Sequence, residues 1–406
     1  MNLSYFIAKR ISKSEDGSFS STIHKIAIAS IALGLAIMII SFLILFGFQN
    51  TVKEKIFGLS SHIQVTKYTL SNSLESVPVN NQNEFYQDYS KYGYIDHVQE
   101  FAYKAGLIRT NEEILGVVIK GIGKDFDLDR FQEYMIEGEF IKFDSSSYSK
   151  DIVLSRTISN KLKVGVGDQI TIHFFQNPPR VRRLTISGIY ETNLSEYFDS
   201  KMVIGDIDMI RKLNGWADSL SGGFEVYLKD YRNEHLAEQE LDNTLDYDLF
   251  IEKVSDKFIQ VFEWLGLIRR QVNIFLTLIL FVVCFNMISI ILILIMERTQ
   301  MIGMLKALGA TNKQIRRVFS YTGMQLVAKG LILGNVLALT LCALQYYFKL
   351  IPLNAKDYYM SYVPISWDWQ IIFTLNILTF IVVMLILAIP TLFITRIQPI
   401  RAIRFD

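Results

Sequence analysis

Four stretches, 26–48, 272–296, 321–348 and 371–394, concentrate the apolar residues of this 406-residue chain, and three of them contain no charged residue. As a helix, 272–296 is about 37 Å long, enough to cross a bilayer core of about 30 Å with some tilt. In lipid a lone segment must satisfy its own backbone hydrogen bonds, so all four read as membrane-spanning helices. The run 26–48 is too long for the apolar region of a cleavable signal, and no small-x-small cleavage pattern follows it. It reads as a retained first span.

Lysine and arginine near the span ends set the orientation. The arm 1–25 carries Lys9, Arg10, Lys13 and Lys25, with Leu3, Phe6, Ile7 and Ile11 on one face of an amphipathic surface helix. The segment 297–320 carries Arg298, Lys306, Lys313, Arg316 and Arg317, and the tail 395–406 carries Arg396, Arg401 and Arg404. The loop 349–370 has only Lys349 and Lys356. Both termini and 297–320 are therefore expected in the cytoplasm, with 49–271 and 349–370 on the far side. Glu297-Arg298 ends the second span, and a short basic amphipathic stretch follows, with Ile302, Leu305 and Leu308-Gly309 on one side. A membrane helix running into such a stretch can receive a push from a soluble partner. A plain stop-transfer flank has the same composition.

The far-side block 49–254 is long enough for its own core. Strands are expected at 151–154, 170–174, 184–189, 202–204 and 224–228, with Gly165-x-Gly167-Asp168 as a turn feeding the second. Asp206 is the expected N-cap of a helix to Leu213, stopped by Asn214-Gly215. The polar stretch 70–92 reads as a loop or insertion, and the block as an α+β domain. Residues 255–271 keep helical spacing in Phe258, Val261, Phe262, Leu265 and Ile268, a stalk continuous with the second span.

Small residues four apart, Ser30/Gly34, Ala32/Ala36 and Gly330/Gly334, let helices approach closely. Lys329 lies within lipid depth, near enough to the cytoplasmic end to snorkel to water. Pro390 falls late in the fourth span, where a kink is tolerable. Cys284 and Cys342 both lie in spans, which gives no disulfide framework and suits a packed membrane interior.

No pattern for chemistry emerges. Gly121-Ile122-Gly123-Lys124-Asp125 lacks the spacing and the hydroxyl residue of a nucleotide-binding loop. There is no HExxH, and His24, His62, His97, His173 and His235 are scattered without metal-ligand spacing. Ser155 and Ser187 lack a nucleophile elbow. Asn286, Ser289 and Asn335 do not form a chain of ionisable groups, against a proton-coupled carrier. The net charge of +1 gives no reason to expect nucleic acid. No catalytic residue, metal or cofactor is expected in this chain, and any energy for work must enter from a partner.

Several elements together resemble the LolC/LolE family, the transmembrane subunits of the lipoprotein-releasing ABC transporter, within the FtsX/MacB-type permeases. They are Phe285-Asn286-Met287-Ile288-Ser289, Met296-Glu297-Arg298 and Ile302-x-x-Leu305-Lys306-Ala307-Leu308-Gly309-Ala310-Thr311. Phe6-Ile7-Ala8-x-Arg10, Gly47-Phe48-Gln49, Ile56-x-Gly58, His62-Ile63-x-Val65, Tyr359-x-x-x-Tyr362-x-Pro364 and Pro399-x-Arg401-Ala402 agree as well. The likeness covers most of the chain and is weakest over 66–150. It implies an α-helical membrane protein with four transmembrane helices and a large α+β extracytoplasmic domain of the MacB-like periplasmic core type. It implies a bacterial inner-membrane location with the domain in the periplasm. A MacB-like exporter or an FtsX-like regulator of a cell-wall hydrolase is the alternative.

The resemblance also implies partners and sites. A LolD-like cytoplasmic ATPase, binding ATP and Mg, would receive a coupling segment at 298–313, with Glu297, Arg298, Ile302, Gly303, Leu305, Lys306, Leu308, Gly309 and Ala310. A second permease subunit, identical or homologous, would pair with this one. Acyl chains of a lipoprotein cargo would meet Leu43, Phe46 and Phe48 on the first span and Ile274, Phe275 and Leu278 on the second. A LolA-like periplasmic carrier would meet a hook loop at 176–183, with Pro178, Pro179, Arg180, Arg182 and Arg183, shorter here than the family's typical hook.

Overall fold

A computed structural model describes residues 19–69, 75–110, 113–143, 148–194 and 198–391. Most of the basic N-terminal arm and the whole tail 395–406 lie outside these. The chain divides into two units. One holds 19–50, 264–352 and 362–391 of the described residues, the other 51–263 and 353–361.

The first unit is helical. It is built on α1 (Phe19–Ser60), α2 (Ile259–Glu297), α3 (Thr299–Ala307), α4 (Asn312–Phe348) and α5 (Trp369–Thr391). All but α3 are long and apolar enough to cross a membrane. Three helices outrun their apolar stretches, α2 by the expected stalk, which joins it from Ile259 after the separate short helix Val254–Lys257. After Phe48 no helix breaker intervenes, and Val52, Ile56 and Leu59 stay buried at helical spacing. Helix α1 therefore continues to Ser60, and Ser61 leaves it with φ +60°. Helix α4 begins at Asn312 because Thr311 and Gln314 form a reciprocal capping box. The segment 297–320 is thus α3, a turn, and the first turns of α4, rather than one connector.

One core joins Ile31, Val283, Met287, Ile291, Phe319 and Val327, and another joins Leu35, Ile39, Leu43, Leu276, Ala338 and Ile372. The Gly330/Gly334 pair packs on α1: an added Cβ would meet Ile31 Cβ at 2.7 Å and Ala32 O at 2.8 Å. Asn335 and Asn376 exchange side-chain hydrogen bonds between α4 and α5 at 2.7 and 3.0 Å. Lys329 is exposed on α4, and Cys284 and Cys342 are buried free thiols.

The second unit is an α+β domain. Its strands are β1 (Ile63–Lys67), β2 (Val79–Asn80), β3 (Ile95–Arg109), β4 (Ile114–Ile122), β5 (Met135–Gly138) and β6 (Asp151–Ser155). After them come β7 (Gln169–Phe174), β8 (Arg180–Tyr190), β9 (Met202–Asp206), β10 (Leu220–Ser221), β11 (Gly223–Leu228) and β12 (Leu249–Lys253). Ten form one mixed sheet in the order β12-β1-β11-β3-β4-β9-β6-β8-β5, with β7 paired to β3 and β8. Ile119, Leu154, Ile172 and Val203 centre one core of the domain, and Val65, Val98, Phe224 and Leu241 the other. Asp206 accepts from Asp208 N at 2.8 Å and caps the helix Ile207–Asn214, after which Gly215 turns left-handed at φ +70°. Gly121 lies where that helix crosses β4, since a Cβ would meet Ile207 Cα at 2.9 Å. Its glycine serves packing.

The stretch 70–92 departs from a plain loop. Residues 70–74 lie outside the described residues, but β2, the helix Glu84–Gln87 and a 3-10 turn at Tyr89–Lys91 follow. Asn83 caps that helix by accepting from Tyr86 N at 2.8 Å, and Phe85 is buried.

Candidate functional site

The coupling residues surround a tight turn. On α3, Ile302 and Gly303 are buried, with Ile302 in the helical core and Leu305 and Ala310 packed against that core. The other side faces out, with Met304 56% and Leu308 85% exposed. The helix ends as a glycine C-cap: Leu308 N bonds Met304 O at 3.0 Å, and Ala310 N bonds Leu305 O at 2.9 Å, around Gly309 at φ +91°. An added Cβ at Gly309 meets nothing within 4 Å, so its constraint is the backbone angle rather than crowding. Glu297 is exposed at the end of α2, and Arg298 and Lys306 are half-buried. The turn therefore presents one large apolar side chain, Leu308, beside basic groups, on a loop held by an apolar root.

The residues expected to meet acyl chains divide. Leu43 is fully buried inside the helical core, which takes its side chain away from any open seam. Phe46 and Phe48 are half-buried. Phe46 stacks on Phe42 with ring centroids 6.1 Å apart and lies 5.4 Å from the Arg269 guanidinium. Phe48 meets Trp264 edge-on at 5.6 Å. Arg269 also donates to Gln49 Oε1 at 2.8 Å, and Gln49 donates to Leu265 O at 2.8 Å, so a polar clasp ties α1 to α2 beside these rings. Ile274, Phe275 and Leu278 are exposed, and the same face continues through Phe281, Val282 and Phe285. Phe281 and Val282 were not singled out from the sequence, and Phe285 only within the motif that carries the resemblance, although the i, i+3/i+4 spacing from Leu278 contained the signal.

The hook loop is short and anchored. Five residues, 175–179, join β7 to β8, and Asn177–Pro178 is a cis peptide. Arg180 donates to Lys212 O at 2.6 Å and Gln176 to Leu213 O at 2.8 Å, so both occupy carbonyls at the end of the helix Ile207–Asn214. Arg182 is half-buried, while Arg183, Pro178 and Pro179 are exposed. The sequence placed 176–183 in one loop, but Arg180, Arg182 and Arg183 are strand residues. Phe175, 71% exposed at the tip, was missed because it ends an apolar alternation that reads as core.

Among the described residues no group of three or more His, Cys, Asp or Glu side chains is placed to hold a metal ion. Ser155 Oγ is occupied, donating to Asp199 O and accepting from Ile158 N at 3.0 Å as a helix cap.

Comparison with known proteins agrees with this architecture. Residues 26–244 match the MacB-like periplasmic core domain, and 273–399 match the FtsX-like permease C-terminal region. The lipoprotein-releasing system transmembrane protein LolE of Haemophilus influenzae is 22% identical over 91% of this chain and 91% of its own length. LolC of Neisseria meningitidis serogroup B is 21% identical over 96% of this chain and 95% of its own length. The periplasmic region of MacB from Actinobacillus actinomycetemcomitans aligns over 50% of this chain and 92% of its own, at 16% identity and a TM-score of 0.35. With four candidate membrane helices and a mixed-sheet domain between the first two, the chain belongs to the MacB-like periplasmic core domain family, carries an FtsX-like permease C-terminal region, and is similar over most of its length to the LolC and LolE transmembrane proteins.

Proposed function

We propose that this chain is the permease subunit of an ABC transporter that extracts lipoproteins from the outer leaflet of the bacterial inner membrane and passes them to a periplasmic carrier. The observation that carries this reading is the end-to-end similarity to lipoprotein-releasing subunits, over 91% of both chains for the Haemophilus influenzae relative. In this reading both termini and the α3 turn face the cytoplasm. A LolD-like ATPase binds ATP and Mg and receives Leu308 and its neighbours. A second permease subunit completes the assembly. The exposed apolar face of α2 from Ile274 to Phe285 offers the surface an acyl chain needs, since apolar area removed from water contributes about 25 cal/mol per Å². The tip of the β7–β8 hairpin, with Phe175, Pro178, Pro179 and Arg183, meets a LolA-like carrier.

The test is reconstitution of the chain with its ATPase in lipoprotein-loaded vesicles, with a photo-crosslinker at Phe275. ATP-dependent release and lipoprotein adducts support the reading. Adducts to peptides, drugs or a hydrolase instead point to an exporter or regulator and overturn it.

A further inference from the structure

Inside the second unit, four polar side chains lie buried on one face of the sheet. Gln64 on β1, Gln99 on β3 and Glu225 on β11 are each 0% exposed, and Lys120 on β4 is 2% exposed. Pairing register places Gln64 opposite Glu225 and Glu225 opposite Gln99, so three side chains form a rail across three strands. Gln64 donates to Glu225 Oε1 at 3.1 Å and Gln99 donates to Oε2 at 2.8 Å. Lys120 Nζ lies 2.7 and 2.9 Å from the same two oxygens. Beyond the sheet the rail has charged outlets to both helices, beside a longer donation from Gln64 Nε2 to Ser60 O at 3.3 Å and one from Asp127 N to Gln99 Oε1 at 3.0 Å. Lys120 Nζ donates to Leu59 O at 2.6 Å, in the last turn of α1, where a cation also suits the helix dipole. Lys257 Nζ, in the short helix Val254–Lys257 just before α2, donates to Gln64 Oε1 at 2.6 Å.

A buried ion pair is weak as a source of stability, because desolvation offsets most of the Coulomb attraction and apolar residues of similar volume do as well. What such a pair supplies is fixed geometry. Here the fixed points are where the chain leaves one membrane helix and where it rejoins the next, which are the places where a displacement of the helices reaches the sheet.

We infer that Lys120 and Lys257 are positioning residues, pinning the end of α1 and the start of α2 to the Gln64–Glu225–Gln99 rail so that these two helix ends and the sheet move as one body during transport. This rests on the transport reading above and assigns the residues through which movement is passed outward. Neither lysine touches cargo in this scheme.

The experiment uses the full complex in vesicles and two variants. Lys257→Met cuts the outlet to α2 at a side chain that is 36% exposed, so folding is preserved. Lys120→Met combined with Glu225→Gln removes the charged link to α1 and the buried carboxylate together, leaving only the 3.3 Å contact of Gln64 with Ser60 O, while the amide oxygen at 225 still accepts from one of Gln64 and Gln99. Each variant is expected to hydrolyse ATP at the parental rate and to consume about fivefold or more ATP per lipoprotein released. A merely structural role predicts a lowered melting temperature with an unchanged ratio, and that result overturns the inference. If the double variant does not fold, Lys257→Met alone decides. Spin labels at the exposed Glu54 and Glu263 give a readout independent of cargo. A single narrow distance is expected in the parent and a broadened one in Lys257→Met. If the parent releases no lipoprotein, the transport reading fails, and the label distances still decide whether the rail pins the helices. Unchanged distances in Lys257→Met overturn it.

Discussion

Lys55 donates from Nζ to the carbonyl of Tyr359 at 2.8 Å, across 304 residues of sequence. The same ammonium donates to Thr192 O at 2.7 Å. One side chain on α1 thereby satisfies a carbonyl after β8 and a carbonyl of the 353–361 loop, where Tyr359 has φ +60°. Charged hydrogen bonds contribute about 1.5–3 kcal/mol each and orphaned carbonyls add a penalty, so Lys55→Met is expected to destabilise the chain by about 3 kcal/mol. Thermal melts in detergent report the loss. Hydrogen exchange over 353–361 is expected to accelerate in the variant, and unchanged exchange there would show that the loop is held by other means.

His62 carries a pH dependence. Leu228 N donates to His62 Nδ1 at 2.8 Å, which requires that nitrogen unprotonated, and the ring lies among Phe57, Tyr227 and Tyr231. Burial, with a smaller contribution from Arg130, lowers its pKa from 6.5 to about 4. A depressed histidine gives stability that is fully present above the unfolded value and declines as pH falls toward the folded one. Between pH 6.5 and about 4 the unfolded chain binds a proton that the folded chain refuses, a loss of about 3 kcal/mol by the acid end. Denaturation midpoints at neutral and acid pH are expected to differ less in His62→Asn, whose Oδ1 accepts the same bond without titrating. An equal slope in the two proteins would assign the acid sensitivity to other groups.

Much of this architecture was legible in the sequence because lipid and turn chemistry leave few choices. The four apolar runs, the Asp206 cap and the Gly330/Gly334 face all follow from local rules that tertiary packing did not override. The strands that escaped notice are β1, β2, β3, β4, β5, β10 and β12, and β3 explains why. Along its 15 residues, Gln99 and Glu100 point to opposite faces, yet both are buried and paired, with Glu225 and Arg211. Periodicity sees polar residues on both faces and no strand. Only the partners, more than 100 residues away in sequence, turn them into core. The candidate site was legible where its signal is local, as at Leu308-Gly309. It was not where burial decides, as at Leu43, which looks like its half-buried neighbours Phe46 and Phe48 until α2, α4 and α5 cover it.

The Asn335–Asn376 pair tests how much a polar link between membrane helices contributes. Each amide also donates to a carbonyl of its own helix, Asn335 to Leu331 O at 2.7 Å and Asn376 to Ile372 O at 2.9 Å. Both groups therefore keep a partner when the other is removed. The coupling energy in a cycle of Asn335→Ala, Asn376→Ala and the double variant is expected at about 0.6 kcal/mol, in the lower part of the range for such links. Unfolding in mixed micelles measures it. A value above about 2 kcal/mol would mean that the intrahelical bonds do not substitute, contrary to this geometry.

Leu308 and Ile302 separate the two duties of the α3 segment. Ile302 is fully buried, so Ile302→Glu places a charge in the apolar core and is expected to prevent assembly of the helical unit. Leu308 is 85% exposed, so Leu308→Glu is expected to insert and melt like the parent. If Leu308 is the apolar anchor for the ATPase, its loss costs about 2 kcal/mol or more of binding, roughly 30-fold in affinity. Gly309→Val gives a third pattern. Space is open around it, but a β-branched residue at φ +91° strains the turn by about 1–3 kcal/mol and shifts Leu308 without altering the apolar surface. Affinity for the ATPase is expected to fall in both Leu308→Glu and Gly309→Val, while only the latter also lowers the melting temperature. Parental affinity in Leu308→Glu would move the docking surface elsewhere, with Met304, 56% exposed on the same helix, as the next residue to change.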